Sequence, residues 1–260
     1  MVSSEAARKR FEFSLDKLSS EPRVLKIQGE KLVLILDGQW RKFGKEKWTL
    51  YLIALKPIDK DYVIVLDPCL RKGKENVTDW LDVLDAIPIS IRKRVIVAVS
   101  DGVRGLGRQL LMRCGWPQQR CHFHLLSALE KFRGRRKSLR GKTIRENVCQ
   151  TVKILLKVKS KKRMLFLGRK LLRLSDDKRC PKRMRMIARE FLRHFTEYRL
   201  YLDEPEWNLP NTTGVMESVG SLIRRYAPKI NTPRALQKWS IAIIRTHQKF
   251  NCKGTKFQPN

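Results

Sequence analysis

Acidic residues are scarce in this sequence: 25 Asp and Glu stand against 57 Lys and Arg in 260 residues, a formal net charge of +32. A surplus that large repels itself unless a polyanion screens it, which argues against a merely solvated surface and for a nucleic-acid partner. Long apolar runs are missing as well. The stretches at 50–55 and 95–99 are strand-length, far short of the ~20 residues of a membrane span, so membrane roles are set aside. The six cysteines have no regular spacing, and no signal peptide precedes them. They read as reduced thiols of a cytoplasmic, nucleoid-associated bacterial protein and exclude a disulfide framework. No Walker Gly-x-x-x-x-Gly-Lys pattern occurs, which excludes a nucleotide cofactor, and no nucleophile elbow surrounds any Ser or Cys.

What is present begins at residues 32–40, Leu-Val-Leu-Ile-Leu-Asp-Gly-Gln-Trp. Five consecutive aliphatics have the character of a strand buried on both faces, and they deliver Asp37 and Gly38 at its end. The competing reading of Asp-Gly is a hairpin turn. Strands follow at 47–55 and 62–66, then a helix over 77–86 with Asn76 as its cap and Pro88 as its stop. A second buried-strand pattern, 94–100, again runs into Asp-Gly, at Asp101 and Gly102. A strand that arrives after a helical crossover lies parallel to an earlier one, which sets Asp37 and Asp101 at one end of the sheet. A helix at 104–114, a short fifth strand at 118–123 and a helix from 125 complete the order β-β-β-α-β-α-β-α. That order predicts an α/β fold, an RNase H-like mixed five-stranded sheet with flanking helices.

Between 125 and 200 the character changes, with 25 Lys and Arg against 6 Asp and Glu and no strand pattern. This is a basic, all-helical insertion with three amphipathic stripes: Ile144, Val148, Val152 and Leu155; Met164, Leu167, Leu171 and Leu174; Met184, Ile187, Phe191, Phe195 and Tyr198. The opposite faces concentrate charge in Lys157, Lys159, Lys161, Lys162 and Arg163, and again around Arg183 and Arg185. The division expected is an entry segment at 1–30, the first part of the core at 31–124, the insertion at 125–205, and the closing helices at 206–260. In the last part a helix at 214–225 carries Glu217, with Arg224 and Arg225 one to two turns on, and Thr232-Pro233 starts a final helix.

Asp37, Asp101 and Glu217 form the candidate catalytic set. Three carboxylates on rigid elements are hard oxygen ligands for Mg2+ or Mn2+, which take the rest of their coordination from water and substrate phosphate. Two such ions about 3.5–4 Å apart serve an in-line phosphoryl displacement. Each acid also has a plainer reading, Asp101 as a turn residue and Glu217 as one helix glutamate among many.

Taken together, the two strand-to-Asp-Gly junctions, Cys121-x-x-His124, and Asn211-Thr212-Thr213-Gly214 leading to Glu217-Ser218 and Arg224-Arg225 resemble the catalytic domain of DDE transposases, the Mutator-like and related bacterial insertion-sequence type. The similarity spans 32–250. It implies that Asp37, Asp101 and Glu217 hold two Mg2+ or Mn2+ ions, that the basic segment is the family's helical insertion, and that the chain cuts double-stranded DNA at mobile-element ends and joins the freed end to target DNA. Arg and Lys of the insertion, with Arg224 and Arg225, would grip the backbone; a homodimer is compatible with this. Cys121 and His124 match the family's signature; two ligands fall short of a four-ligand zinc site, so they are expected to orient a strand-to-helix turn. One departure stands out: such transposases carry an N-terminal module for end recognition, and the 30 residues before the first strand are too few for one. The alternatives are an RNase H-like nuclease without strand transfer and a DNA-binding remnant without catalysis.

Overall fold

The computed structural model describes residues 4–23, 25–134, 141–226, 230–247 and 249–251. A first helix α1 (Ser4–Ser20) leads to strands β1 (Leu32–Phe43), β2 (Glu46–Pro57), β3 (Tyr62–Val65) and β4 (Cys69–Lys72). Helices α2 (Val77–Asp85) and α3 (Ile89–Arg92) cross over to β5 (Val95–Ser100), and α4 (Leu106–Cys114) leads to β6 (Gln118–Arg120). The helical part comprises α5 (His122–Arg133), α6 (Lys142–Leu155), α7 (Lys161–Asp176), α8 (Lys182–Arg193) and α9 (Leu200–Asp203). It returns through α10 (Gly214–Tyr226) and α11 (Pro233–Thr246) to β7 (Lys249–Asn251).

The chain is thus α/β, with one mixed sheet in the order β6-β5-β1-β2-β3-β7 and β4 paired to β2. β1 is antiparallel to β2 and parallel to β5, and β5 is parallel to β6. The sheet has seven strands where the sequence predicts five. The two extra ones, β4 and β7, are four and three residues long, lie at the margins, and are too short to show an alternation. The predicted helix at the C-terminal end accordingly stops at Thr246, before β7. Asn76 does cap α2, its side chain accepting from Asp79 N, and Thr232 caps α11 in the same way through Ala235 N.

Alternation along β1 divides the core. Leu32, Leu34 and Leu36 pack toward α2 and α4 with Trp80, Leu84, Leu106 and Leu110, while Val33 and Ile35 pack toward α10 and α11 with Met216, Val219 and Ile244. Each of these β1 side chains is completely buried, which is worth about 1.5–3 kcal/mol apiece and explains why no polar residue interrupts the run. A third core is purely helical and joins α5 to α8 through Leu129, Val152, Leu171, Met184 and Phe191, residues of the predicted stripes among them. The helical part is bolted to the sheet by Arg120 at the end of β6, whose Nε donates to Glu197 at 2.6 Å. Among the described residues no helix is long and apolar enough to cross a membrane.

Candidate metal centre

Burial along β1 ends with Asp37, although the strand itself runs on through Gly38 to Phe43. The Asp-Gly pair is therefore no turn: Asp37 faces Leu52 and Gly38 faces Tyr51 in the ladder with β2. Asp37 is 2% exposed and continues the Val33, Ile35 face toward α10. The parallel register that aligns Ile35 with Val99 would, two residues on, set Asp37 beside Asp101, on neighbouring strands about 4.8 Å apart. Asp101 also serves its own turn, its Oδ1 accepting from Val103 N at 3.3 Å.

Glu217 arrives in the first turn of α10, where a carboxylate is favoured by the helix dipole. The helix comes this close because Gly220 lacks a side chain: a Cβ there would lie 1.9 Å from the Gln39 amide. Gln39 stitches the two elements together, donating to Asp37 Oδ2 at 3.4 Å and to the Met216 carbonyl at 3.2 Å, and accepting from Arg224 Nη1 at 3.2 Å.

His124, in the first turn of α5, completes the cluster. Its Nε2 lies 3.6 Å from Glu217 Oε1 and 4.0 Å from Asp37 Oδ1, and the donor atoms of all three residues fall within 4.8 Å of one another. These separations are too long for hydrogen bonds and leave a gap between the donors. The turn ahead of His124 is tied to the loop ahead of Glu217. Cys121 Sγ accepts from Thr213 N at 3.2 Å and from Thr213 Oγ1 at 3.4 Å, and His122 N donates to the Asn211 carbonyl at 2.9 Å. The Cys-x-x-His and Asn-Thr-Thr-Gly segments are therefore two halves of one joint, and that joint fixes His124 against Glu217.

Electrostatics at the cluster are strained in one direction. Burial, and next the charge of Glu217, push the Asp37 carboxyl well above its ordinary range, with His124 opposing. Burial likewise raises Asp101, against the pull of His124. A further carboxyl, Glu75 in the loop before α2, is pushed up to about 7 by burial and then by Asp101. His124 is pushed up to about 9, first by the Cys121 sulfur beside its ring, although Nδ1 makes no hydrogen bond of regular geometry, and then by Asp37 and Asp101 against the cost of burial. Burial works to raise the Cys121 thiol, but His124 and the two Thr213 donors outweigh it and hold it below its usual value. Among the described residues no Lys or Arg forms an ion pair with Asp37, Asp101 or Glu217, although the charge of Arg120 acts on Asp101; His124 is the ion-pair partner of Asp37 and Glu217 there.

A divalent cation fits this donor set. The carboxylates crowd one another with only the His124 ring between Asp37 and Glu217 and Arg120 acting on Asp101 to offset them, and a bound ion would reverse the upward shifts of Asp37 and Asp101. The oxygens suit Mg2+ or Mn2+, and the imidazole nitrogen favours Mn2+ of the two. The signs give a test. Carboxyls raised in the fold contribute stability that is complete below the ordinary carboxylate range and lost as pH rises, through about 7 for Glu75. His124 contributes stability that is complete below the ordinary histidine range and lost through about 9. Metal-free protein should therefore lose stability from this centre between pH 5 and 9, and Mn2+, which competes with those protons, should raise the melting temperature more at pH 8 than at pH 5. Equal shifts at both pH values would mean that the ion binds elsewhere.

The basic residues singled out from the sequence lie apart from this cluster, except one. Lys157, Lys159, Lys161, Lys162 and Arg163 are exposed around the start of α7, and Arg183 is exposed at the start of α8. Arg185 is engaged in structure, donating to the Ser175 and Asp177 carbonyls at the end of α7 at 2.7 and 3.2 Å. Arg225 is exposed on α10, while Arg224 is held on Gln39. Sequence reasoning missed two contributors. Glu75 carries no motif, and His124 was expected to orient a turn, whereas it also reaches the acids. The one signal available for Glu75 was Gly38, a glycine inside a strand, which marks close approach by another group. Comparison with protein-family models and with curated proteins gave no match for this chain.

Proposed function

We propose that the chain is a DDE transposase catalytic domain of RNase H-like type, which uses two Mg2+ or Mn2+ ions to cut DNA at the ends of a mobile element and to join the freed 3′-hydroxyl to target DNA. The observation that carries the reading is the meeting of Asp37, Glu217 and His124 within 4.8 Å, with Asp101 directly after the neighbouring strand β5, in a protein of net charge +32. Two acids on parallel strands or just past them and one from a later helix suit a metal-assisted phosphoryl transfer better than nucleophile chemistry, since the one thiol beside a base, Cys121 next to His124, is fully buried and bound to Thr213. The ions would supply an activated attacking oxygen and stabilisation of the leaving oxygen. The chain's own residues would hold Asp37 rigid through Gln39, place Glu217 through the Cys121–Thr213 joint, and grip the DNA backbone through the basic faces of α7 and α8.

The balance of the reaction is simple. Water oxygen attacks phosphorus and the bond to the 3′ oxygen breaks, leaving a 3′-hydroxyl and a 5′-phosphate; that hydroxyl then attacks a target phosphorus, the bond to the target's own 3′ oxygen breaks, and the target strand is left with a free 3′-hydroxyl. Purified protein incubated with Mn2+ and DNA carrying the candidate element ends should yield nicks with 3′-hydroxyl termini, faster than with Mg2+, and should join a pre-cut 3′-hydroxyl oligonucleotide to plasmid. Nicking without joining would make the chain a nuclease of the same chemistry. DNA binding with neither activity would leave a non-catalytic remnant.

A further inference from the structure

We propose that the open face of the β1–β2 hairpin around Trp40 is a binding surface for single-stranded DNA, with Trp40 as the ring on which an unpaired base stacks. The inference rests on the DNA-handling reading above and deepens it by naming where an opened strand is held; it does not use the metal centre. Trp40 is 68% exposed, and among the described residues it has neither a ring partner nor a hydrogen bond. The other two rings of the hairpin, Phe43 and Trp48, are half-buried and pack edge to face with centroids 6.5 Å apart. β5 pairs with β1 no further than Ile35, so Trp40 stands where the hairpin runs on past its neighbour as an open edge.

The register supplies the surroundings of the ring. Residues opposite one another in a ladder share a face, and Trp40 pairs with Thr49, Thr49 with Arg71, and Lys42 with Lys47. Trp40, Lys42, Lys47 and Arg71 therefore stand on one face, three exposed cations about one exposed indole. None of the three forms an ion pair among the described residues. The one acid between 38 and 49, Glu46, is on the opposite face with Phe43 and Trp48, where Lys72 binds it. Glu75 meets the Trp40 face at Gly38, and there it accepts from the Trp80 indole N–H at 2.7 Å. A rim of cations alone repels a second copy of a chain with net charge +32 and attracts a polyanion. Duplex DNA offers phosphates to such a rim, but its base faces are covered by neighbouring bases. Only an unpaired base can lie on the indole while its flanking phosphates meet the cations, which is how single strands are held without sequence preference. Trp40 is three residues past Asp37, about 10 Å along β1 and on the other face of the sheet, so the surface holds the strand beyond the scissile phosphate and not that phosphate itself.

The test is fluorescence anisotropy of the full chain with labelled oligothymidine and with a duplex of the same length, in EDTA so that no cleavage intervenes. W40A removes an exposed side chain and should melt no lower than the parent. It should bind oligothymidine about 5- to 100-fold more weakly and the duplex within about twofold of the parent. W40F, which keeps a stacking ring, should restore single-strand affinity to within about threefold of the parent. Combining K42Q, K47Q and R71Q should flatten the dependence of log affinity on log salt for oligothymidine by about 2 units, at about 0.7 per phosphate contact. W40A that binds oligothymidine as the parent does, or loses duplex affinity to the same extent, would overturn the inference and leave the DNA-handling reading intact, as would W40F as weak as W40A. A parent that binds neither DNA would overturn both.

Discussion

D37N should abolish Mn2+-dependent strand cleavage, by at least about a thousandfold, and at the same time raise the melting temperature of the metal-free protein by about 2–4 °C. The two effects have one cause. Asp37 is 2% exposed, its carboxylate faces Glu217 and Asp101, and its only hydrogen bond among the described residues is a long one from Gln39. At neutral pH an ionised group in that position is destabilising until a cation neutralises it, and an asparagine of the same shape removes the charge without opening a cavity. The same substitution deletes the most rigid of the oxygen ligands, so the rise in melting temperature that Mn2+ gives the parent should disappear. E217Q makes a useful contrast. Its side chain is 36% exposed and its charge is partly solvated, so cleavage should fall comparably while metal-free stability changes much less. A D37N protein that melts lower than the parent would mean that the carboxylate is a structural acceptor, and one that still cleaves would place the chemistry elsewhere.

The parts of this centre that could be read from the sequence are those whose signal is local. Residues 32–36 advertise a doubly buried strand because five aliphatics in a row have no solvent-facing member, and the helical stripes of the insertion advertise their cores by a spacing of three and four. Asp37 and Asp101 follow from the strands that carry them. Glu217 has no signature of its own, since one acid in a helix first turn is common, and it is singled out only jointly with the two strand-end acids. What could not be read depends on approach between segments distant in the chain. Glu75 packs against β1 because Gly38 leaves room for it, and His124 reaches the acids because Cys121 is bound to Thr213, 92 residues away. The strands β4 and β7 were invisible for a related reason: three or four residues on a sheet margin are fixed by their partners, Trp48 to Tyr51 and Tyr62 to Ile64, and not by any pattern of their own.

Replacing Lys157, Lys159, Lys161, Lys162 and Arg163 together with glutamine should weaken binding to all DNA sequences alike and flatten the dependence of log affinity on log salt by about 3 units. At that difference a fourfold rise in salt costs the parent roughly 60-fold more affinity than the variant, because each phosphate neutralised on duplex DNA contributes a slope of about −0.9. The position of these residues strengthens the expectation. Ser160 caps α7, accepting from Arg163 N, so Lys161, Lys162 and Arg163 occupy its first turn, which contains no acid. Cations there oppose the helix dipole by about 0.3–1 kcal/mol each, so stability does not account for them, whereas a phosphate bound at that end would be met by the cations and by free backbone N–H groups together. The five are exposed, and no acid among the described residues pairs with them. The variant should consequently melt no lower than the parent, and its cleavage rate once DNA is saturating should change little, since the substituted side chains lie outside the Asp37, His124 and Glu217 cluster. If the salt slope stays as steep as the parent's, the start of α7 is a solvated face, and the backbone grip belongs to Arg183 and its neighbours at the start of α8, which likewise opens with Lys and Arg and no acid.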